Sequence, residues 1–400
     1  MKKIDFYEVL LMVFLVGMEM FPNGSIVSKF LKLFLVFITL VLNILNKKIY
    51  WSRYFNWILL MGCVAFLSYY WAYSKSLAID GIKTVLLNSI CLFSIFQLIC
   101  FQGNWKKIVY QSLAVGPCMR FFYLLSIYGG EVFNGLRNIG IETGYNYVGM
   151  IAGLGIIFSI LGMMYDEMYE IKSTSWAVLV VINIVIVVLS MSRKAISYFL
   201  IPLIIYYIFS NKDSLKRLKN IFILLISIYL GYLLILKIPF LYRFVGSGFE
   251  DLLGFWKNSA GDDSAAGRET RILWGLSWFY KKPLIGYGVM NYNYLFSNVE
   301  KMSDMVVADN NYIEMLVSYG VIGFILYYFI FLKTIVLSLF SINNYNKEKI
   351  LALGILVSLL IGDYGSSSYI YLQNQFFLMI SILLIYDGTK YTRLKVFLIR

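Results

Sequence analysis

The chain contains no histidine, and of its 400 residues only 14% are charged and 4 are cysteine. The missing histidine excludes a His-based triad, an imidazole general base and any His-ligated zinc or haem. Cys63, Cys91, Cys100 and Cys118 all fall in or at the edges of apolar runs and form no CxxC pair. They read as small core residues, without a disulfide framework or a thiolate metal site. No nucleic-acid module is present. Gly286 and Gly288 form a G-x-G without the preceding strand or the following glycines of a dinucleotide fingerprint, so they read as a turn. Asp262-Asp263 has no supporting ligands and reads as a solvated loop. No metal and no other cofactor is expected. No internal repeat is evident, which weighs against an inverted-repeat transporter.

What the chain has in abundance is apolar sequence: 60% of residues are hydrophobic and the mean hydropathy is +0.74. No single soluble domain tolerates that, so the expected class is an all-α polytopic membrane protein. At roughly 20 residues per span, the length admits about 12 transmembrane helices and one sizeable loop. The net charge of +13 resides in cations that flank apolar runs, which is a topology signal and not a nucleic-acid surface.

Residues 1–237 are expected to hold nine spans: 6–21, 30–46, 54–73, 82–101, 108–128, 146–165, 176–191, 195–210 and 221–237. Between the ninth and tenth spans, residues 238–311 form one large extracytoplasmic loop with short surface helices. Spans at 312–340, 350–361 and 371–386 complete the transmembrane region, 312–388, and residues 389–400 form a basic cytoplasmic tail, read as an interfacial helix. Lys47, Lys48 and Arg53, then Lys106 and Lys107, then Lys212, Lys216, Arg217 and Lys219, then Lys347 and Lys349, and finally Lys390, Arg393, Lys395 and Arg400 mark cytoplasmic segments by the positive-inside rule. Both termini are therefore expected in the cytoplasm. Lys2 and Lys3 precede an apolar run with no small-residue cleavage site, which reads as a first span and not a signal peptide.

Charges in or beside the spans need a physical reason, because an ionised side chain at the bilayer centre costs about 2.5 to 3.5 kcal/mol on insertion scales. Arg120 lies eight residues from the outer end of its span, roughly 12 Å deep at 1.5 Å per residue. It should face the bundle interior or a wet cavity, or pair with an acid such as Glu19. Arg193 and Lys194 sit in a short outer turn with no acid within ten residues. Arg268 and Arg271, spaced i, i+3, share a helix face beside Trp274 and Trp278, a combination that suits a membrane surface near an anionic head group. Arg137, Arg193, Arg268 and Arg271 all project from the outer side, and four planar guanidinium forks around one cavity suit a diphosphate. The alternative is contact with lipid phosphates or with loop carboxylates such as Asp262, Asp263 and Glu269.

Four features together resemble the O-antigen ligase and polymerase superfamily of integral-membrane enzymes. They are Ser192-Arg193-Lys194-Ala195 after a span, the Arg268/Arg271 helix with Trp274, the turn Pro283-Leu284-Ile285-Gly286-x-Gly288, and Asn310-x-Tyr312-Ile313 running into Gly320-Val321-Ile322-Gly323. Arg137 followed by Asn146-Tyr147-Val148-Gly149 is a weaker upstream match. The resemblance implies an undecaprenyl-diphosphate-linked oligosaccharide as donor, and inverting, metal-independent glycosyl transfer at the outer face of the bacterial cytoplasmic (inner) membrane. It implies that Arg193, Arg268 and Arg271 grip the leaving diphosphate with help from Arg137, and Arg120 and Lys194 join the candidate anion-binding set. Ligase members place a histidine where this chain has Asp309, the candidate base for the acceptor hydroxyl. That departure favours a polymerase of O-antigen or capsular repeat units, with Asp309, Arg268 and Arg271 as catalytic residues. Membrane lipids, a chain-length regulator and a flippase are the expected partners. The rival readings are an O-antigen ligase and a lipid-linked oligosaccharide flippase or transporter. A metal-dependent lipid-phosphate glycosyltransferase would carry an acidic pair in its first outer loop, and Pro22-Asn23-Gly24-Ser25 has none.

Overall fold

The structure is a computed structural model that describes residues 6–21, 25–139, 144–168, 174–211, 213–238, 242, 263–300, 306–341, 346–386 and 395–398. Lys2, Lys3, Pro22, Asn23, Gly24, Lys172, Lys212, Asp262, Lys390, Arg393 and Arg400 lie outside the described residues, as does most of the first third of the expected outer loop. Among the described residues the chain forms α1 (Phe6–Met20), α2 (Ile26–Asn46), α3 (Arg53–Ser68), α4 (Lys75–Cys100), α5 (Trp105–Tyr128), α6 (Tyr145–Met168) and α7 (Ser175–Ser190). Then follow α8 (Arg193–Phe209), α9 (Ser214–Lys237), α10 (Asp263–Lys281), α11 (Asn291–Glu300), α12 (Asn311–Ser341), α13 (Lys347–Asp363) and α14 (Leu372–Tyr386). A helix occupies each stretch expected to span. Five of them, α2, α4, α5, α6 and α12, are long and apolar enough to cross a membrane by length and composition.

Local chemistry sets the helix ends. Ser25, Asp213 and Asn346 each accept a backbone N–H from the first turn of the helix that follows, satisfying a donor the helix leaves orphaned. Lys47 and Met191 close α2 and α7 in the left-handed conformation that ends helices. Large apolar side chains stay exposed along α2 (Phe30, Leu33, Phe37, Leu40) and α12 (Ile322, Ile325, Phe329, Leu332), as a hydrocarbon-facing surface requires.

Ion pairs and strands gather at one end of the bundle. Lys106 meets Glu348 at 2.7 Å, Lys107 meets Asp166 at 3.2 Å, and the Trp176 indole donates to Asp166 at 2.6 Å. At the same end α4 delivers Gln97, whose amide accepts from the Tyr50 N–H at 2.9 Å and donates to the Tyr50 carbonyl at 2.7 Å. Tyr50 lies in β1 (Lys48–Trp51), which pairs antiparallel with β2 (Lys395–Leu398). The tail read as an interfacial helix is therefore a strand where it is described. Its Lys-Val-Phe-Leu run supplies β-branched and aromatic residues to the unpaired edge that β1 presents.

The opposite end is organised by a break. Gly320 interrupts α12 with φ 64° and ψ −168°, which frees carbonyls before it and amides after it. The turn 283–288 fills the gap. The Tyr287 and Gly288 N–H groups donate to the Val317 and Ser318 carbonyls at 2.8 and 2.9 Å, and Val321 and Ile322 donate back to the Pro283 and Leu284 carbonyls at 2.8 and 3.3 Å. Gly286 has φ +66°, and a Cβ there would collide with the Val317 carbonyl. On its other side the turn docks on the α3–α4 connection: the Trp71 indole donates to the Ile285 carbonyl at 3.0 Å, and the Val289 N–H donates to Ser68 Oγ at 3.1 Å.

Gly286→Ala is expected to combine strained backbone with a backbone clash, for a loss of about 2 kcal/mol or more. The purified variant should melt several degrees below the parent in a detergent thermostability assay. An unchanged melting curve would mean that the turn is not tied to α12.

Candidate active site

Three segments converge at that end. Glycines set how closely the first, α8, packs. Any Cβ at Gly149 or Gly153 of α6 would run into Ala195, and one at Gly362 into the Tyr198 hydroxyl. The N-terminus of α8 is thus held against the α13–α14 connection, where Lys194 Nζ would stand 3.0 Å from a Cβ built on Gly365. The second segment is α10. It was expected to lie at the membrane surface, yet Trp278 is buried with Tyr287, Tyr292, Phe296 and Val317 in a small core of its own. Its ring stacks on Trp274 at 6.0 Å and meets Tyr292 edge-on at 5.4 Å. The third is the loop 306–310 that leads into α12.

Arg271 and Asp309 form an ion pair, Nη1 to Oδ2, and Nη1 also lies 3.5 Å from the Val307 carbonyl. The Tyr292 hydroxyl donates to the Arg271 carbonyl at 2.7 Å, which fixes the helix turn that carries the guanidinium. Asp309 adopts φ +49°, an uncommon left-handed backbone for a residue with a Cβ. Its Oδ1 makes no hydrogen bond to a described residue. Lys194 is half-buried just ahead of the apolar run that begins at Ala195. Burial, together with the like charges of Arg268 and Arg193, holds its ammonium pKa down at about 8, while Asp309 pulls the other way. The Arg268 Nε is buried and has no hydrogen-bond partner among the described residues. Lys194, Arg268, Arg193, Arg271 and Asp309 therefore form one cluster, with Asp309 its carboxylate among the described residues.

Arg137 and Arg120 show other contacts. The Arg137 guanidinium lies 5.9 Å over the Tyr145 ring, although its segment packs on the α7–α8 turn through the Leu136 N–H to Leu189 carbonyl bond at 2.8 Å. Arg120 is fully buried within the bundle. It donates to the Met20 carbonyl at 2.6 Å and stacks 5.7 Å over Tyr123, so it does not snorkel to the surface. Both Glu19 carboxylate oxygens are buried without a hydrogen-bond partner among the described residues.

Sequence reasoning missed the framework behind the cluster. Glu314, one turn into α12, accepts the Ala308 N–H at 3.0 Å and the Ser367 hydroxyl at 3.3 Å, and so clamps the loop that presents Asp309. Asn311 makes four hydrogen bonds, accepting from the Ser368 and Tyr369 N–H groups at 2.9 and 3.0 Å and donating to the Tyr328 hydroxyl at 2.9 Å and Asp363 Oδ2 at 3.2 Å. Asp363 also accepts from Tyr328 at 2.9 Å and from Ser368. An acid in the first turn of one apolar helix and another in the last turn of the next was the available signal.

Residues 178–328 match the family model described as O-Antigen ligase, so the superfamily resemblance read from the sequence holds over that stretch. Arg193, Lys194, Arg268, Arg271 and Asp309 fall inside it; Arg120 and Arg137 do not. Comparison with curated proteins gives no match.

Lys194 should react with an amine-selective acylating reagent with a midpoint near pH 8. Arg268→Gln removes a like charge and should move that midpoint upward; a fixed midpoint would separate the two side chains. Because this folded pKa lies below the ~10.4 of an unfolded lysine, the ammonium opposes folding below pH 8, and the opposition fades as pH rises from about 8 toward ~10. Asn311→Leu leaves two backbone N–H groups and Asp363 short of partners, at about 1–3 kcal/mol each. Its melting midpoint should fall by more than that of the Gly286 variant if the clamp carries that load.

Proposed function

We propose that this chain, a multi-pass membrane protein of the O-antigen ligase and polymerase superfamily, is a polysaccharide polymerase that joins undecaprenyl-diphosphate-linked oligosaccharide repeat units. The carrying observation is the gathering of cations: Arg268 and Arg193 both act on the Lys194 ammonium, Arg271 pairs with Asp309 beside them, and the buried Arg268 Nε has no hydrogen-bond partner among the described residues. Like charges gathered at such a site call for a multiply charged anion, and a sugar-linked diphosphate supplies it. In this reading the chain crosses the bacterial inner membrane about 12 times with both termini in the cytoplasm, and the cluster faces the outer side.

A hydroxyl of the acceptor sugar attacks the anomeric carbon of the growing chain from the face opposite the diphosphate. The new C–O bond forms as the bond to undecaprenyl diphosphate breaks, with inversion, and the hydroxyl proton passes to Asp309 Oδ1. Charge that develops on the leaving diphosphate meets cations already in place, so little reorganisation is needed at the moment of reaction. A phosphorylated leaving group departs without a proton donor, and the cationic donor set would repel a metal ion, so the arginines take the role a metal would otherwise play. A second reading, an O-antigen ligase, is favoured by the description of the matching family and differs only in acceptor.

Arg193→Ala, Arg268→Ala or Arg271→Ala, each restored to a strain lacking the gene at normal membrane levels, should cut polymer synthesis about 100-fold or more. A gel of surface polysaccharide should then show single repeat units only. Asp309→Asn tests the base in its own lane. Long chains from all four variants would overturn the reading and bring a flippase forward. Polymer that is made but never transferred to lipid A core would select the ligase.

A further inference from the structure

At the other end of the bundle, between α3, α12 and α14, lies a cavity of about 370 Å³. All three helices line it in the same order. Where they approach β1, the lining is polar: Ser52, Arg53 and Asn56 from α3, Lys333 and Thr334 from α12, and Tyr386 from α14. Deeper in, it is apolar: Leu60, then Phe329 and Ile330, then Met379 and Ile382. Leu60 and Phe329 are also exposed on the outer surface, so the cavity opens sideways toward hydrocarbon. Among the described residues no carboxylate lines it; Arg53 and Lys333 are its cations, and the Lys333 ammonium lies 5.8 Å over the Phe329 ring, between the polar and the apolar lining. Ser52 Oγ is buried, does not cap α3 and has no hydrogen-bond partner among the described residues. The Trp57 indole is already committed to the Leu326 carbonyl at 2.8 Å, so it serves as wall.

We propose that this cavity binds a glycerophospholipid with an anionic head group, drawn from the leaflet on the β1–β2 side. The head-group phosphate sits between Arg53 and Lys333 with Ser52 Oγ as a further donor, and one acyl chain starts down the apolar part and leaves through the opening at Leu60 and Phe329. The order of polar and apolar lining matches the order of groups in such a lipid. Volume suits the glycerol region and the upper part of one chain, with the remainder in the bilayer. A zwitterionic lipid would bring its own ammonium against two cations, which selects the anionic class. The site is separate from the Arg271–Asp309 cluster: Lys333 lies about six turns along α12 from Asn311, roughly 30 Å at 1.5 Å per residue.

Native mass spectrometry of the purified protein, mixed with phosphatidylglycerol or phosphatidylcholine, tests this directly. The parent should retain phosphatidylglycerol about tenfold better. Arg53→Gln combined with Lys333→Gln should abolish that preference, Leu60→Trp should lower retention of both lipids, and Arg271→Ala should change neither. A photoreactive residue at position 60 of the otherwise unaltered chain should crosslink phosphatidylglycerol, which keeps the test intact if the double variant misfolds. Equal retention of the two lipids by the parent, a preference that survives the double substitution in monodisperse protein, or displacement of phosphatidylglycerol by undecaprenyl diphosphate at the crosslinked position would each overturn the proposal. Loss of polymer in the Arg271 variant with its phosphatidylglycerol preference intact would support both readings independently.

Discussion

A backbone broken inside a bilayer must have its freed amides and carbonyls met by protein, since hydrocarbon offers no partner. Gly320 breaks α12, a helix long and apolar enough to cross a membrane, and the turn 283–288 meets the break from both sides. That single constraint places much of this end of the bundle. Beside the pinned turn, Trp278 of α10 and Tyr292 of α11 pack with Val317 in a small core. The same packing brings Arg271 to the loop that carries Asp309. It also explains why the segment between α9 and α12 is not a free loop where it is described.

Charge at this end is divided by role. The carboxylates of Glu314 and Asp363 are spent on hydrogen bonds that hold the two loops beneath the cluster, and both are buried. Arg268, Arg193 and Asp309 all act on Lys194, and Asp309 pairs with Arg271. A structure built for its own stability alone would interleave the two signs, because each buried like-charge contact raises the cost of folding. The Lys194 ammonium is depressed first by burial and then by the like charges of Arg268 and Arg193.

Much of this was legible in the residues. Runs of apolar sequence located the helices, and Lys106 and Lys107, read as flanking charges, are tied to Glu348 and Asp166 at one common end. The lack of any acid near Arg193 and Lys194 signalled a distant partner, and Asp309 is near enough to Lys194 to act on its charge. Arg120 was read as facing the bundle interior, and it is buried there. Other features were hidden for physical reasons. Glu314 and Asp363 look like ordinary helix-end acids until the fold brings Ala308, Ser367 and Asn311 to them. Two tryptophans on one helix face serve a membrane surface and a small core equally well by pattern, and only the docking of the 283–288 turn decides between them. Four residues of β2 are too short to betray a strand without the edge of β1 that they pair with.

That strand pair also bears on how the molecule comes to be assembled. Lys48 lies opposite Leu398, so the clasp can close only after the chain has been synthesised through β2. On its other edge β1 is met by Gln97, whose side chain takes both the Tyr50 N–H and the Tyr50 carbonyl. β2 is the last described element of the chain, so its pairing with β1 ties the beginning of the bundle to its end only once every described helix has been made.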